Sequence, residues 1–194
     1  MIYILIGICG FLAVYAFDCA SLNNLRVTKR LIGLLSIALL VYATIMVCII
    51  PVKFHLPFFT LPLGVGLLVV SLCLLVYSLF IEIPFRSTYA QDGTSNKLIT
   101  TGTYALARHP GVLWLALVYI SLALLFPSTT LFIAVTVWLI MDVIIVTLQD
   151  KLSFPKMFRA YREYQLKTPF IIPTKQSIST CLKTIKPRIK VRKW

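Results

Sequence analysis

Five long apolar runs, which hold one charged residue among them, dictate what this chain can become. Residues 2–17, 31–50, 58–81, 111–126 and 131–148 carry only Asp142 between them. A helix needs roughly 20 apolar residues, about 17 to 25, to cross about 30 Å of hydrocarbon. With 59% hydrophobic residues and a mean hydropathy of +0.92, an ordinary soluble domain is excluded. The expected fold is therefore all-α and integral to the membrane, with about five transmembrane helices. The first and fourth runs are short by that ruler. The first extends past Asp18 to Ala20, and the fourth is closed by Pro127 in a tight link over 127–130. The last two runs then make a helical hairpin, which crosses the bilayer or dips deeply into it. The N-terminus lacks a positive leader region and a small-residue cleavage site, so it reads as a retained helix.

Orientation follows from the basic residues, because Lys and Arg in short loops stay on the cytoplasmic side. Arg26, Lys29 and Arg30 lie in the first loop, Arg86, Lys97 and Arg108 in the third, and twelve more follow Leu148. Lys53 stands alone in the second loop, so 18 of 19 positive charges share one side. The expected topology is N-terminus outside and C-terminus cytoplasmic. The net charge of +13 is thus first a topology signal and an attraction to anionic lipid, with no nucleic-acid partner implied. The five cysteines form no C-x-x-C pair, and Cys9, Cys48 and Cys73 read as small buried hydrophobes. His55 and His109, on opposite expected faces, share no metal ion.

Three regions follow. Residues 1–81 form a three-helix membrane scaffold, where Gly64 and Gly66 allow close packing. Residues 82–173 hold a polar loop, the hairpin and an interfacial helix. In the loop, Pro84 stops the third helix and 91–96 is a turn. Phe154, Met157, Phe158 and Tyr161, spaced i, i+3, i+4 and i+7 between basic residues, describe an amphipathic helix lying in the interface, with Pro155 as a point where it breaks or starts. Residues 174–194, with seven Lys or Arg and no acid, read as a flexible basic arm dispensable for chemistry.

The chemistry-bearing candidates sit at the expected cytoplasmic boundary. Pro110 suits the first turn of the fourth span, which makes His109 its cap beside Arg108. Asp142, inside the fifth span, requires a partner or a wet cavity, since an unpaired carboxylate there costs at least about 2.5 kcal/mol. Trp138, Asp142, Ile145 and Gln149 form one helical stripe, so Asp142 points toward the same wall as Gln149. Because the fourth and fifth spans are antiparallel, Arg108, His109, Gln149 and Asp150 converge at one face. Either Asp150 or Glu82 can offset Arg108.

Gly102-x-Tyr104-x-x-x-Arg108-His109-Pro110, followed by the hairpin, a polar pair before Leu152, Tyr161-x-x-Tyr164 and Ile172-Pro173, resembles the isoprenylcysteine carboxyl methyltransferase and phospholipid methyltransferase superfamily. The resemblance spans about residues 82–173. It implies a small membrane bundle that binds S-adenosylmethionine at the cytoplasmic face and methylates a lipid or lipidated acceptor reached from the bilayer. It further implies a cofactor pocket formed by Gly102, Tyr104, Arg108, His109 and Pro110. Gln149 and Asp150 stand where the family usually has two glutamates. Val112 and Trp114 replace the family's tyrosine and glycine after Arg-His-Pro. His109 and its helix start can receive the donor's carboxylate, and Asp150 its ammonium or ribose hydroxyls. An amine acceptor requires a proton acceptor, for which His109, Asp142 and Asp150 all qualify; the sequence does not choose. Two other classes are compatible with the pattern: a non-catalytic lipid-binding or interaction relative, and an NADPH-dependent sterol-type reductase.

Overall fold

The computed structural model describes residues 1–23, 25–50, 55–83 and 98–185. The stop at Pro84, the turn at 91–96, the loop charges Lys53, Arg86 and Lys97, and residues 186–194 lie outside that set. All regular structure among the described residues is helical. The long elements are α1 (Ile2–Leu22), α2 (Arg26–Ile49), α3 (Thr60–Val76), α5 (Pro110–Leu125) and α6 (Thr129–Leu148). Short helices α4 (Thr103–Leu106), α7 (Phe154–Met157), α8 (Tyr161–Lys167) and α9 (Lys175–Thr184) decorate one end. Four stretches, Ile2–Leu22, Val27–Ile49, Thr60–Glu82 and Thr129–Met157, are long and apolar enough to cross a membrane. α5, at 16 residues, is shorter. The hairpin of α5 and α6 forms as expected, and Ser128 caps α6 by accepting from the Leu131 N–H.

In lipid there is little hydrophobic drive between helices, so association depends on close packing and satisfied polar groups. α1 runs along α2, α3 along α5, and α6 against α1, α2 and α5. The core lies among α1, α2, α5 and α6, where Phe11, Val47, Tyr119, Leu131 and Trp138 meet. Trp138 is fully buried and its indole N–H donates to the Ile4 carbonyl at 3.1 Å. That approach requires Gly7, since a Cβ there would collide with the indole. Gly64 plays the same part for α3, with Leu125 2.9 Å from where its Cβ would be; Gly66 has open space. Ser36, Thr44, Ser71, Ser121, Thr136 and Thr147 return their hydroxyls to carbonyls of their own helices, which removes the cost of a bare hydroxyl in hydrocarbon. The outward faces of α2 and α3 stay apolar and exposed, as lipid contact demands. Cys9 and Cys73 lie on such exposed faces, not in the core expected for them.

Two expectations about the C-terminal third are corrected. The interfacial helix is not continuous: the backbone extends at Phe158 and separates α7 from α8. Residues 175–184 are not an arm but the helix α9, closed at its start by a reciprocal Thr174–Ser177 capping box. Its positive charge suggested a flexible arm drawn to anionic lipid, whereas Ser177 and Cys181 are buried where α9 packs on α4.

Gly7→Leu is expected to drive α1 off Trp138 and lower the melting temperature, an overpacking cost of about 1–3 kcal/mol. Gly66→Leu, which meets no neighbour within 4 Å, is expected not to. Thermal unfolding in detergent, followed by tryptophan fluorescence, distinguishes the two.

Candidate active site

Two helices change their winding as they leave the membrane. α3 continues as a π-helical turn over Tyr77–Glu82, and α6 as another over Gln149–Ser153. Such wide turns re-aim side chains that a regular helix would direct elsewhere. Each delivers a carboxylate to the stretch that leads into α5: Glu82 to Thr103 at the start of α4 and Asp150 to Arg108 between α4 and α5. Gln149, next to Asp150, faces the other way and donates at 2.7 Å to Asp18 at the end of α1.

Arg108 is the centre of the cluster. Its Nε and Nη2 donate to the two oxygens of Asp150 at 2.8 and 3.1 Å, a bidentate pair. Its Nη1 donates to the carbonyls of Gln165 and Thr168, both at 2.9 Å. Its backbone N–H donates to the Pro169 carbonyl, that of His109 donates to the Phe170 carbonyl, and the Phe170 ring lies 5.5 Å from the guanidinium carbon. Asp150 in turn also accepts from Tyr161 Oη at 2.6 Å, from Gln165 Nε2 at 3.0 Å and from His109 Nε2 at 3.4 Å. A carboxylate offers about four lone-pair sites, so Asp150 has no capacity left for a ligand's ammonium or ribose hydroxyls. In this arrangement Asp150 clamps Arg108.

His109 occupies the cap position of α5 with Pro110 in the first turn. Its side chain makes no cap bond; instead the ring stacks on Phe154, 5.6 Å between centroids, and meets Phe170 edge-on at 5.3 Å. Burial holds the imidazole pKa below its ordinary value, against an opposing pull from Asp150. The ring is therefore neutral at pH 7. Asp150, ionised beside Arg108, only accepts, so the proton sits on Nε2 and Nδ1 keeps a lone pair. Burial, reinforced by Asp150, raises the Tyr161 phenol and keeps it a donor. Burial likewise raises Tyr164, whose hydroxyl donates to the Tyr104 carbonyl at 2.5 Å.

The approach to Arg108 is held from a second side. Gly102 adopts φ 63°, a left-handed conformation, and a Cβ there would fall on a Glu82 oxygen. Glu82 accepts from the Thr103 N–H at 2.9 Å and from the Thr103 hydroxyl, so it serves α4 and not Arg108. Ser78, in the first π-turn, accepts from the Trp114 indole at 2.9 Å, and its carbonyl accepts from Tyr104 Oη at 3.4 Å.

Of the residues singled out from sequence, the structure brings Arg108, His109 and Asp150 into direct contact, with Gly102, Tyr104 and Pro110 flanking them. It does not bring Gln149 there, because that side chain is committed to Asp18. Nor does it bring Asp142, eight residues and about 12 Å of helix rise above Asp150; its Oδ2 is buried without a hydrogen-bond partner among the described residues. Sequence reading missed Gln165 and Asp18. Gln165 carried no signal, whereas Asp18 carried the same one as Asp142, a carboxylate at an apolar run.

The model for the phospholipid methyltransferase family matches residues 59–160. That is more than half of the chain and takes in α3, the α4–α5 junction, α6 and Asp150. The chain belongs to the phospholipid methyltransferase family. Tyr161, Gln165 and Thr168, which complete the Arg108–Asp150 cluster, lie just beyond the matched segment. No curated protein and no solved structure matches the chain.

A family of methyltransferases implies a methyl donor, and the site is chemically suited to one of the S-adenosylmethionine kind. Glu82, whose oxygens take only the Thr103 donors among the described residues, keeps acceptor capacity for an ammonium or hydroxyl. The half-buried rings of Phe154 and Phe158 offer apolar faces, and the start of α5 favours an anionic group.

Asp150→Asn is expected to leave Arg108 uncompensated and cost on the order of 3 kcal/mol, read as a lowered melting temperature. The pH response of His109 has a fixed sign. Its folded pKa lies below the ordinary 6.5, so the unfolded chain takes up the proton first. The contribution of the neutral ring is complete above about pH 6.5 and is lost as pH falls through the folded value. His109→Gln is therefore expected to flatten the decline of melting temperature between about pH 7 and 5, measured side by side with the unsubstituted protein.

Proposed function

We propose that this integral membrane protein is a methyltransferase that moves a methyl group from S-adenosylmethionine to a lipid or lipidated acceptor at the cytoplasmic face. The observation that carries the reading is the Arg108–His109–Asp150 cluster, built at the ends of α5 and α6 within the family-matched segment. The basic residues gathered around that end support the cytoplasmic placement. When bound, the donor supplies a methyl carbon on a positively charged sulfur, open to in-line attack. Such a displacement asks the protein mainly for alignment and exclusion of water.

The chain's own groups supply that alignment. The Arg108–Asp150 clamp sets the start of α5, and the Phe154 and Phe170 rings fix the imidazole plane. His109 Nδ1, the available basic lone pair on a neutral ring, takes the proton that an amine acceptor releases; a carboxylate acceptor requires none. Glu82 holds the positive end of the donor, and the start of α5 its carboxylate. We assign no proton transfer to Asp142, which lies too deep, or to Asp150, which is saturated. Arg108 and Asp150 act as positioning residues.

A second reading has its own support. Arg108 spends four of its five N–H donors on protein groups, and Asp150 is saturated, as expected of a cluster kept for architecture in a non-catalytic lipid-binding relative. Calorimetric titration of the protein in lipid nanodiscs with S-adenosylmethionine and S-adenosylhomocysteine distinguishes the two. Saturable binding, weakened at least about tenfold (1.4 kcal/mol) in His109→Ala without loss of fold, is the expected result, and methyl label should then appear in the lipid fraction. Donor affinity unchanged in His109→Ala would sink the site assignment. Absence of binding with acceptor lipid present favours the non-catalytic reading.

A further inference from the structure

The helix α9 has three faces of different character. Ser177 and Cys181 are buried against α4, and Thr184 continues that stripe at i, i+4 and i+7. Ile178, Leu182 and Ile185 form a parallel stripe one residue on, at 44, 70 and 43% exposure. Gln176, Ser179, Thr180 and Lys183 fill the remaining, exposed side. The packed stripe explains why α9 is held to the protein. It does not explain an apolar stripe left uncovered beside it.

The surroundings identify what covers it. Leu166 and Ile172, on and after α8, are still more exposed, at 88 and 80%. The exposed ionisable residues between positions 149 and 185 are Lys151, Lys156, Arg159, Arg162, Lys167, Lys175 and Lys183 against Glu163 alone. Apolar side chains set among cations match a surface that is anionic outside and hydrocarbon beneath. A second copy would present the same positive charge and repel. The location agrees, because α9 packs on α4 and α4 ends at Leu106, four residues before α5 starts at Pro110.

We propose that the Ile178–Leu182–Ile185 face of α9 docks in the anionic headgroup region of the bilayer, and that this docking steadies the approach to Arg108. The link is short. Thr184 Oγ1, on the packed stripe, accepts from the Gly102 N–H at 2.9 Å. Gly102 is the left-handed residue that starts α4, and Thr103 beside it is held by Glu82. A lipid that seats α9 therefore orders 102–106 without touching the cluster. This goes beyond the methyl-transfer reading and does not depend on it.

Hydrogen exchange of the full-length protein tests this, in nanodiscs of phosphatidylcholine alone and of phosphatidylcholine mixed with phosphatidylglycerol. The expected result is slower exchange of the 178–185 and Gly102 amides in the anionic discs, with α6 around Trp138 unchanged. Lys175→Glu and Lys183→Glu should each reduce the difference by about fivefold, and Ile178→Asn with Leu182→Asn should abolish it. Thr184→Val should release the Gly102 amide while α9 itself stays protected. Equal exchange in the two lipids would overturn lipid docking. So would protection that rises with the number of chains per disc, which would make a second copy the occupant. A Gly102 amide insensitive to lipid while α9 responds would overturn the coupling.

Discussion

A guanidinium at a membrane boundary has few stable arrangements, and the one adopted by Arg108 organises the end of the bundle where α4, α7 and α8 gather. Left in hydrocarbon it would cost several kcal/mol, and left in water it would anchor a helix and do little else. Here it is nearly buried and spends its donors on two separate pieces of chain: Asp150 after α6, and the end of α8, where Gln165 and Thr168 offer carbonyls to the side chain and Pro169 one to the backbone N–H. Each of those pieces would be loosely placed by its own packing. α7 and α8 are four and seven residues long, too short to persist alone in water. Their position is a consequence of the charge they enclose.

The two π-turns are the complementary device. A regular α6 would carry Gln149 and Asp150 onward without regard to what each must reach. The wide turn lets one side chain return to α1 and its neighbour reach Arg108. Trp114 and Tyr104 tie the other π-turn to the same junction through Ser78, so both transmembrane walls that flank His109 are fixed by polar contacts just where apolar packing ends. The imidazole is thereby held with one nitrogen committed and the other not, between the rings of Phe154 and Phe170.

Much of this could be read from the order of residues, and the reason is physical. Lipid as a solvent imposes long uncharged runs, so the helices and the antiparallel hairpin were plain, and the hairpin alone brings Arg108 and Asp150 to one face. What could not be read shares a different cause. Asp18 and Gln149 are 131 residues apart, and no local pattern announces a pairing of that span. Glu82 and Asp150 were equivalent candidates for Arg108 until the winding of two helix ends separated them. α9 was mistaken for a flexible arm because Lys and Arg dominate that stretch, although the apolar stripe of Ile178, Leu182 and Ile185 was present at helical spacing. The break between α7 and α8 was hidden for the opposite reason: Phe154, Phe158 and Tyr161 keep helical spacing while their rings cluster across a non-helical link.

The ring of contacts around Arg108 also imposes an order of assembly. Its bonds to Asp150 close a loop of 42 residues and those to Thr168 one of 60, and such distant contacts form after local helices, because chain entropy must be lost before they reward it. During synthesis α5 can enter the bilayer while Asp150 and the Thr168–Phe170 segment are still to come. Arg108 then waits at the headgroup level, satisfied by water and phosphate, and exchanges those partners for protein only when the chain beyond α8 arrives. The cluster is thus a late checkpoint: a bundle can be inserted, threaded and apolar throughout while the site at its rim has not yet been closed.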